Sequence, residues 1–319
     1  MPKYPVDPLD LSGLRTYPLK SRKSKVGLNE LGGVPKAGET FREFWDTLPG
    51  VLAARDLKDL VGAMKSARHR GRGIVWGLGA HVIKVGLSPL MVHLMEQGYV
   101  SGLALNGAGI IHDFEMALVG QTSEEVEEGL VSGEFGMAEE TGSLLNQAID
   151  AGVANGMGIG ESIGAFLDQH KPQFMHLSLI WAGYRLSIPV TVHVAVGTDI
   201  IHMHPQASGE RIGAGSLQDF RLLAGVVRTL HDGGVYLNLG SAVVLPEVFL
   251  KAVSVVRNLG HPLSDFSTAS FDFLRHYRPR KNVVERPVAG AGRGYEFVGH
   301  HEIMIPLLAA ALLEPEFRS

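Results

Sequence analysis

The sequence predicts an α/β fold: a parallel sheet with helices on both faces. Two observations carry this. Five apolar runs of strand length alternate with stretches of helical period, and each run ends in a short segment of glycine and polar residues where the chain turns. The length agrees, since 319 residues that are 45% apolar and 19% charged can bury a large core.

The elements follow in order. Residues 1–39 contain five prolines and the cluster LKSRKSK without a sustained apolar period, and are expected to form an extended N-terminal arm over the domain or over a neighbouring subunit. Residues 40–319 are expected to form a single domain, with no internal repeat and no low-complexity tract. It opens on helical stretches, FREFWDTL and then PGVLAARDLKDLVGAMKSARHR, which GRG stops. The expected strands are GIVWGL (73–78), SGLALN (101–106), PVTVHVAV (189–196), GVYLNL (234–239) and the less apolar PLSDFSTA (262–269). Helical stretches such as VIKVGLSPLMVHLMEQG and LQDFRLLAGVVRTLHDGG separate them. Within the Glu- and Gly-rich segment 120–170 the acidic run reads as a solvated helix face, with an acidic partner site the alternative.

Composition sets limits. A formal net charge of −4 does not suit an electrostatic nucleic-acid surface, and the absence of cysteine removes disulfides and thiolate metal sites. No apolar run reaches the roughly 18–20 residues of a membrane span, and MPKYPVDPLD lacks the pattern of a secretion signal. The expectation is a cytoplasmic protein with neither nucleic-acid nor membrane partners.

In parallel sheets ligands gather at the carboxyl ends of the strands, and the distinctive residues fall there. GLGAH follows the first strand, so Gly79 and His81 lie where a phosphate can rest on backbone amides, although Val82 replaces the third glycine of the usual fingerprint. Lys84 follows, placed to meet a phosphate or, if desolvated, to attack a carbonyl. GLALNGAGIIHDFE sets His112, Asp113 and Glu115 after a strand and a glycine turn; His112 and Asp113 read as an acid/base pair, with helix capping the alternative for Asp113. In GTDIIHMHP His202 and His204 stand two apart, so an extended run puts both on one face, and with Asp199 they suit substrate binding or proton movement. With His112 they would also suit a metal, which makes a metal-dependent hydrolase one alternative. Asp272, with Thr268 and Ala269, could hold ribose hydroxyls or form a turn. His300 and His301 read as a helix start.

The order of these motifs over roughly residues 55–310 resembles the deoxyhypusine synthase family, whose fold is a Rossmann-like, NAD-binding parallel sheet. GLGAHVIKVG resembles its first cofactor turn; Ala108 and Gly109 match its second, with His112 and Asp113 where the family carries paired acidic residues. Asp199 is similar to its substrate-contacting acidic residue, and STASFD keeps its Thr-Ala. Two features depart from it. LGSAVV stands in place of the triple-glycine strand end, and RPRKNVVERPVAGAGRGYEF holds one lysine, Lys281, and no tryptophan where the family carries its imine-forming lysine. ALNGAGIIHDFE also resembles the Asn-Ala-x-x-x-His-Asp-x-Glu run of the NAD-dependent ornithine cyclodeaminase domain of bifunctional arginine- and lysine-catabolic enzymes.

These resemblances imply an NAD-dependent transferase or lyase that transiently oxidises a C–N bond in a polyamine or amino acid, and a homotetramer with shared sites. Gly79, His81, Asn106, Ala108, Gly109, Gly240, Ser241, Thr268, Ala269 and Asp272 would line the cofactor cleft. His112, Asp113, Lys84, Asp199, His202 and His204 would act on the substrate, with no metal. A catalytically silent protein binding NAD or a polyamine as a regulator is the other alternative.

Overall fold

The computed structural model describes residues 3–315; the first two and last four residues, the ends of the expected arm and domain, lie outside the described residues. The strands are β1 (Ile74–Leu78), β2 (Gly102–Asn106), β3 (Val190–His193), β4 (Val235–Leu239), β5 (Phe266–Asp272) and β6 (Gly292–Val298). All neighbours pair in parallel, in the order β3-β2-β1-β4-β5-β6. The chain therefore winds outward from β1 to β3, crosses back, and winds the other way from β4. This is a doubly wound Rossmann-like sheet, and its order reverses between β1 and β4, where such sheets open a crevice for ligands.

Every residue of β1 and β4 is buried, as expected of strands covered on both faces. Alternation divides them between two cores. Ile74, Trp76 and Leu78 join Leu103, Leu105, Leu237 and Leu239 on one face. Val75, Ala104 and Tyr236 face the other, where Tyr236 stacks on Phe249 at 3.6 Å between centroids. Position 77 on that second face is glycine, since a Cβ there would stand 2.4 Å from the Tyr236 hydroxyl.

The covering helices are α1 (Phe41–Thr47), α2 (Leu52–His69), α3 (His81–Lys84), α4 (Ser88–Glu96), α5 (Gly107–Val119), α6 (Val126–Ser132), α7 (Glu139–Ala154), α8 (Ile159–His170), α9 (Leu179–Leu186), α10 (Gly209–Val227), α11 (Val244–Asn258), α12 (Tyr277–Pro279) and α13 (His301–Leu313). The stretch VIKVGLSPLMVHLMEQG is two helices, α3 and α4, because Gly86 takes φ +79° and Pro89 opens a new first turn. Of the N-terminal arm, residues 3–39 carry two short 3-10 turns and are almost wholly exposed. None of the helices described is long and apolar enough to cross a membrane.

Two strand expectations need correction. The fifth strand begins at Phe266, because Asp265 turns at φ +52° and its carbonyl receives the Gly233 amide. STASFD is thus strand, not the turn after it. A sixth strand, GRGYEFV, goes unpredicted: it is an edge strand whose first three residues are exposed, so it has no apolar run to announce it.

Two buried aspartates hold the β3 side together. Asp219 on α10 accepts the amides of Val192 on edge strand β3 (2.8 Å) and Gly160 at the start of α8 (3.1 Å). Asp113 on α5 accepts the Ser178 hydroxyl and the amides of Leu179 (2.7 Å) and Ile180 (3.3 Å), capping α9. Burial raises the carboxyl of Asp113 to about 6 and that of Asp219 to about 7, against the hydrogen bonds that pull both down. With folded values above the unfolded one, the folded chain binds more protons than the unfolded chain in this window, so stability falls as pH rises. Urea midpoints are expected to decline from about pH 4 through pH 7 and to level off above about pH 8, with a shallower decline in Asp219→Asn; a midpoint that rises with pH contradicts this.

Candidate active site at the carboxyl edge of the sheet

The helix after β2 begins sooner than expected. Gly107 opens α5 directly, and the Asn106 side chain caps it by accepting the Gly109 amide at 2.9 Å. His112 and Asp113 are therefore mid-helix neighbours about 100° apart. Asp113 turns inward to cap α9 and does not pair with His112, whereas His112 faces a cavity of about 210 Å³. Lys84, Ala108, His112, Glu115 and Asp199 converge on that cavity with apolar walls from Ile111, Val126, Phe135 and Ile200.

A short relay fixes the His112 ring. The Thr122 hydroxyl donates to Glu115 Oε2 at 2.5 Å and stands 2.7 Å from His112 Nδ1; Thr141 donates to Glu115 Oε1 at 3.0 Å. With its own proton committed to Glu115, Thr122 accepts from Nδ1–H. The network thus assigns the tautomer that leaves Nε2 unprotonated. Burial first, and then the Lys84 ammonium, lower the His112 imidazole to about 4, so it is a neutral base at neutral pH. Glu115 was visible in the opening motif, but its role depends on Thr122 seven residues on, and nothing in sequence spacing announces that contact.

Asp199 lies against the first turn of α5. A Cβ on Gly107 would overlap its carboxylate, so glycine is required for this approach. Asp199 is 8% exposed, its Oδ2 has no hydrogen-bond partner, and burial raises its carboxyl. A buried, unpaired carboxylate oxygen at a cavity is a site for a cationic or hydrogen-bonding ligand.

The two histidines beyond it are not brought in. Residues 200–203 form a 3-10 turn rather than an extended run, so His202 and His204 do not share a face. His202 Nδ1 accepts the amides of Gly197 (3.1 Å) and Asp199 (3.3 Å), tying the loop that presents Asp199. His204 is buried against Gly142 and donates from Nε2 to the Gly136 carbonyl at 2.9 Å. Among the described residues no group of three or more His, Asp or Glu side chains is placed to hold a metal ion.

The expected cofactor residues divide in the same way. Gly79 and Gly240 meet at the β1/β4 switch point: the Gly79 amide donates to Leu239 at 2.8 Å, and a Cβ on Gly79 would lie 2.4 Å from the Gly240 carbonyl oxygen. Gly240 itself has φ +67°. Backbone therefore packs on backbone there, with the His301 ring against Gly240. His81 edges onto His301 (5.6 Å) and lies tilted against Phe273 (5.9 Å) beside it. His301 is fully buried and its Nδ1 is unpartnered, which a reading as a plain helix start misses. Ser241 Oγ accepts the Leu245 amide at 3.2 Å, and Asp272 closes β5 at the same carboxyl edge. Thr268 and Ala269 do not reach the cleft: both are fully buried in mid-strand, and the Thr268 hydroxyl donates to Val283 at 2.7 Å.

Such sheets take a dinucleotide at the carboxyl edge by the switch point, and the first turn of α5 opens there beside the cavity that Lys84 and Ala108 line. The cavity itself is too small for one and suits a reactant of amino-acid size.

By sequence, the chain matches no protein-family model and no curated protein. By structure, it is similar to AgrE in its ternary complex with ornithine and NAD+ (16% identity, TM-score 0.55), covering 83% of this chain and 34% of that one. It is similar also to apo ArgZ, an arginine dihydrolase from the ornithine–ammonia cycle in Cyanobacteria (17%, TM-score 0.50, 83% and 34%). A protein of Entamoeba histolytica described as a deoxyhypusine synthase matches over 86% of this chain and 93% of its own (11%, TM-score 0.50). The chain thus spans about a third of AgrE and ArgZ. At these identities the likeness is one of fold: the Rossmann-like sheet is shared with AgrE and with the Entamoeba histolytica protein.

Proposed function

We propose that the protein is an NAD-dependent enzyme that oxidises the C–N bond of a small amine or amino acid to an imine, which is then transferred, cyclised or hydrolysed. The observation that carries this reading is the meeting of Lys84, His112 and Asp199 in one cavity at the carboxyl edge of the sheet. The fold shared with AgrE, solved with ornithine and NAD+, supports the cofactor and the substrate class.

NAD, when bound, supplies the acceptor for the hydride leaving the carbon. The chain does the rest. Asp199 receives the substrate ammonium, and Lys84 receives an anionic group, either a substrate carboxylate or a phosphate of the cofactor. His112 Nε2 takes the proton released from nitrogen, and Thr122 and Glu115 hold the ring and stabilise the imidazolium that forms. The apolar walls from Ile111, Phe135 and Ile200 limit water around the reacting carbon. The homotetramer implied by the motif resemblance remains part of this proposal.

A panel of amines and amino acids incubated with protein and NAD+, followed at 340 nm, is expected to show turnover on at least one member. On that substrate Asp199→Asn raises KM by about 10- to 100-fold, the value of one charge-assisted contact. Intact NAD binding with no turnover on any amine favours the silent regulator instead.

A further inference from the structure

Gly73, Ser101 and Pro189 stand immediately before β1, β2 and β3, and so mark the amino edge of the sheet, a strand length away from the Lys84–His112–Asp199 cavity. At that edge a cavity of about 480 Å³ opens between these strand starts and the end of α10. Three arginines line it, Arg72, Arg221 and Arg228, and no acidic side chain does. In a chain of formal net charge −4 this is a local excess of positive charge.

The fold leaves these arginines with donors to spare. Arg221 and Arg228 are exposed and have no ion-pair or side-chain hydrogen-bond partner among the described residues. Arg72 shares Asp232 with Arg70, so two guanidinium groups meet one carboxylate, and the buried Nε of Arg72 has no partner. An N–H left over on a cation at a cavity wall is a donor for an anion. Residues 221, 225 and 228 recur four and three apart, so one face at the end of α10 presents a guanidinium, bare glycine backbone and a second guanidinium. A Cβ on Gly225 would meet nothing within 4 Å. The carboxyl end of α10 brings about half an elementary negative charge to this edge, which three guanidinium groups outweigh.

We propose that this amino-edge cavity binds a phosphate monoester, its head held by Arg72, Arg221 and Arg228 and its apolar body laid against Pro189 and Leu222. The arginine fork matches phosphate oxygens two at a time. A phosphate monoester offers three such oxygens and close to two charges at neutral pH, enough to engage several guanidinium groups at once, where a carboxylate offers two oxygens and one charge. The volume admits a molecule of sugar-phosphate or aryl-phosphate size. Pro189 and Leu222, both at the wall, give such a body an apolar surface. The inference concerns the amino edge and stands whether or not the opposite edge binds NAD or turns over an amine.

The test uses the full chain, with phenyl phosphate as the probe and benzoate as the carboxylate control. Calorimetric titration is expected to show saturable binding of one phenyl phosphate per chain, about tenfold tighter than benzoate or more. R221A/R228A weakens it by about tenfold or more, and so does Gly225→Leu, which narrows the cavity and keeps every arginine, whereas Lys84→Ala at the opposite edge leaves it unchanged. Phenylglyoxal, which modifies accessible arginines, locates the site on the native chain. At about ten times its Kd, phenyl phosphate slows modification of Arg221 and Arg228 by about tenfold, read by mass spectrometry of the digested protein. No heat overturns the proposal. So does heat without protection of Arg221 and Arg228, which places the phosphate elsewhere, and so does binding lost in Lys84→Ala alone, which places it at the carboxyl edge. Benzoate that binds equally well overturns the assignment to phosphate. The protection experiment reads the native chain, so it decides even if a variant folds poorly.

Discussion

Replacing His112 by alanine is expected to lower amine-dependent reduction of NAD+ by about 10²- to 10⁴-fold while leaving NAD binding and the urea midpoint close to those of the native chain. The magnitude follows from the role. His112 is the side chain at the cavity whose ring is both oriented, by Thr122, and neutral, with its imidazole held at about 4. Because that value lies below the ordinary one, the base form is present at neutral pH and is lost only as pH falls through about 4. The rate should therefore show no acid limb between pH 5 and pH 7 that belongs to this group. Thr122→Val, which removes the acceptor for Nδ1–H and frees the other tautomer, should lower the rate without changing the fold. If His112→Ala retains full turnover, the base lies elsewhere, and the relay through Glu115 has no part in the chemistry.

Replacing Asp113 by alanine is expected to destabilise the protein by about 3 kcal/mol or more, while the protein that remains folded at low temperature keeps its turnover. The carboxylate satisfies the Ser178 hydroxyl and the amides of Leu179 and Ile180 inside the core, where it is fully buried. Alanine leaves those donors without an acceptor at the start of α9, at about 1–3 kcal/mol for each one that finds no substitute. Denaturant titration of native and variant protein measures the loss, and single-turnover assays on the folded fraction measure the chemistry. A variant of native stability that has lost its activity contradicts the assignment and returns Asp113 to the acid/base pair.

This contrast between neighbours shows what the sequence could and could not reveal. The alternation of strand-length apolar runs with helical stretches was enough to place the first four strands, because strands buried on both faces read as continuous apolar runs. It failed at β6, where exposed Gly292, Arg293 and Gly294 hide an edge strand, and it misplaced β5 because Leu263 is buried just before the turn at Asp265. The site was legible as a location: Gly79, Asn106, Asp199, Gly240 and Asp272 all stand at or just beyond the carboxyl ends of strands. Side-chain direction was not. His112 and Asp113 diverge because α5 starts at Gly107, and a start several residues later would have changed which of them faced the cavity. His202 and His204 share a face only in an extended run, and a 3-10 turn takes its place. Glu115 and Thr122 needed the loop after α5 to fold back, a long-range event without a local signature.

The central claim is that the crevice at the carboxyl edge binds a nicotinamide dinucleotide beside the Lys84–His112–Asp199 cavity. Calorimetric titration of the purified full chain with NAD+ and with NADH addresses it most directly. Saturable binding of one molecule per chain is predicted. No heat with either form of the dinucleotide, from a chain shown to be folded, would contradict it.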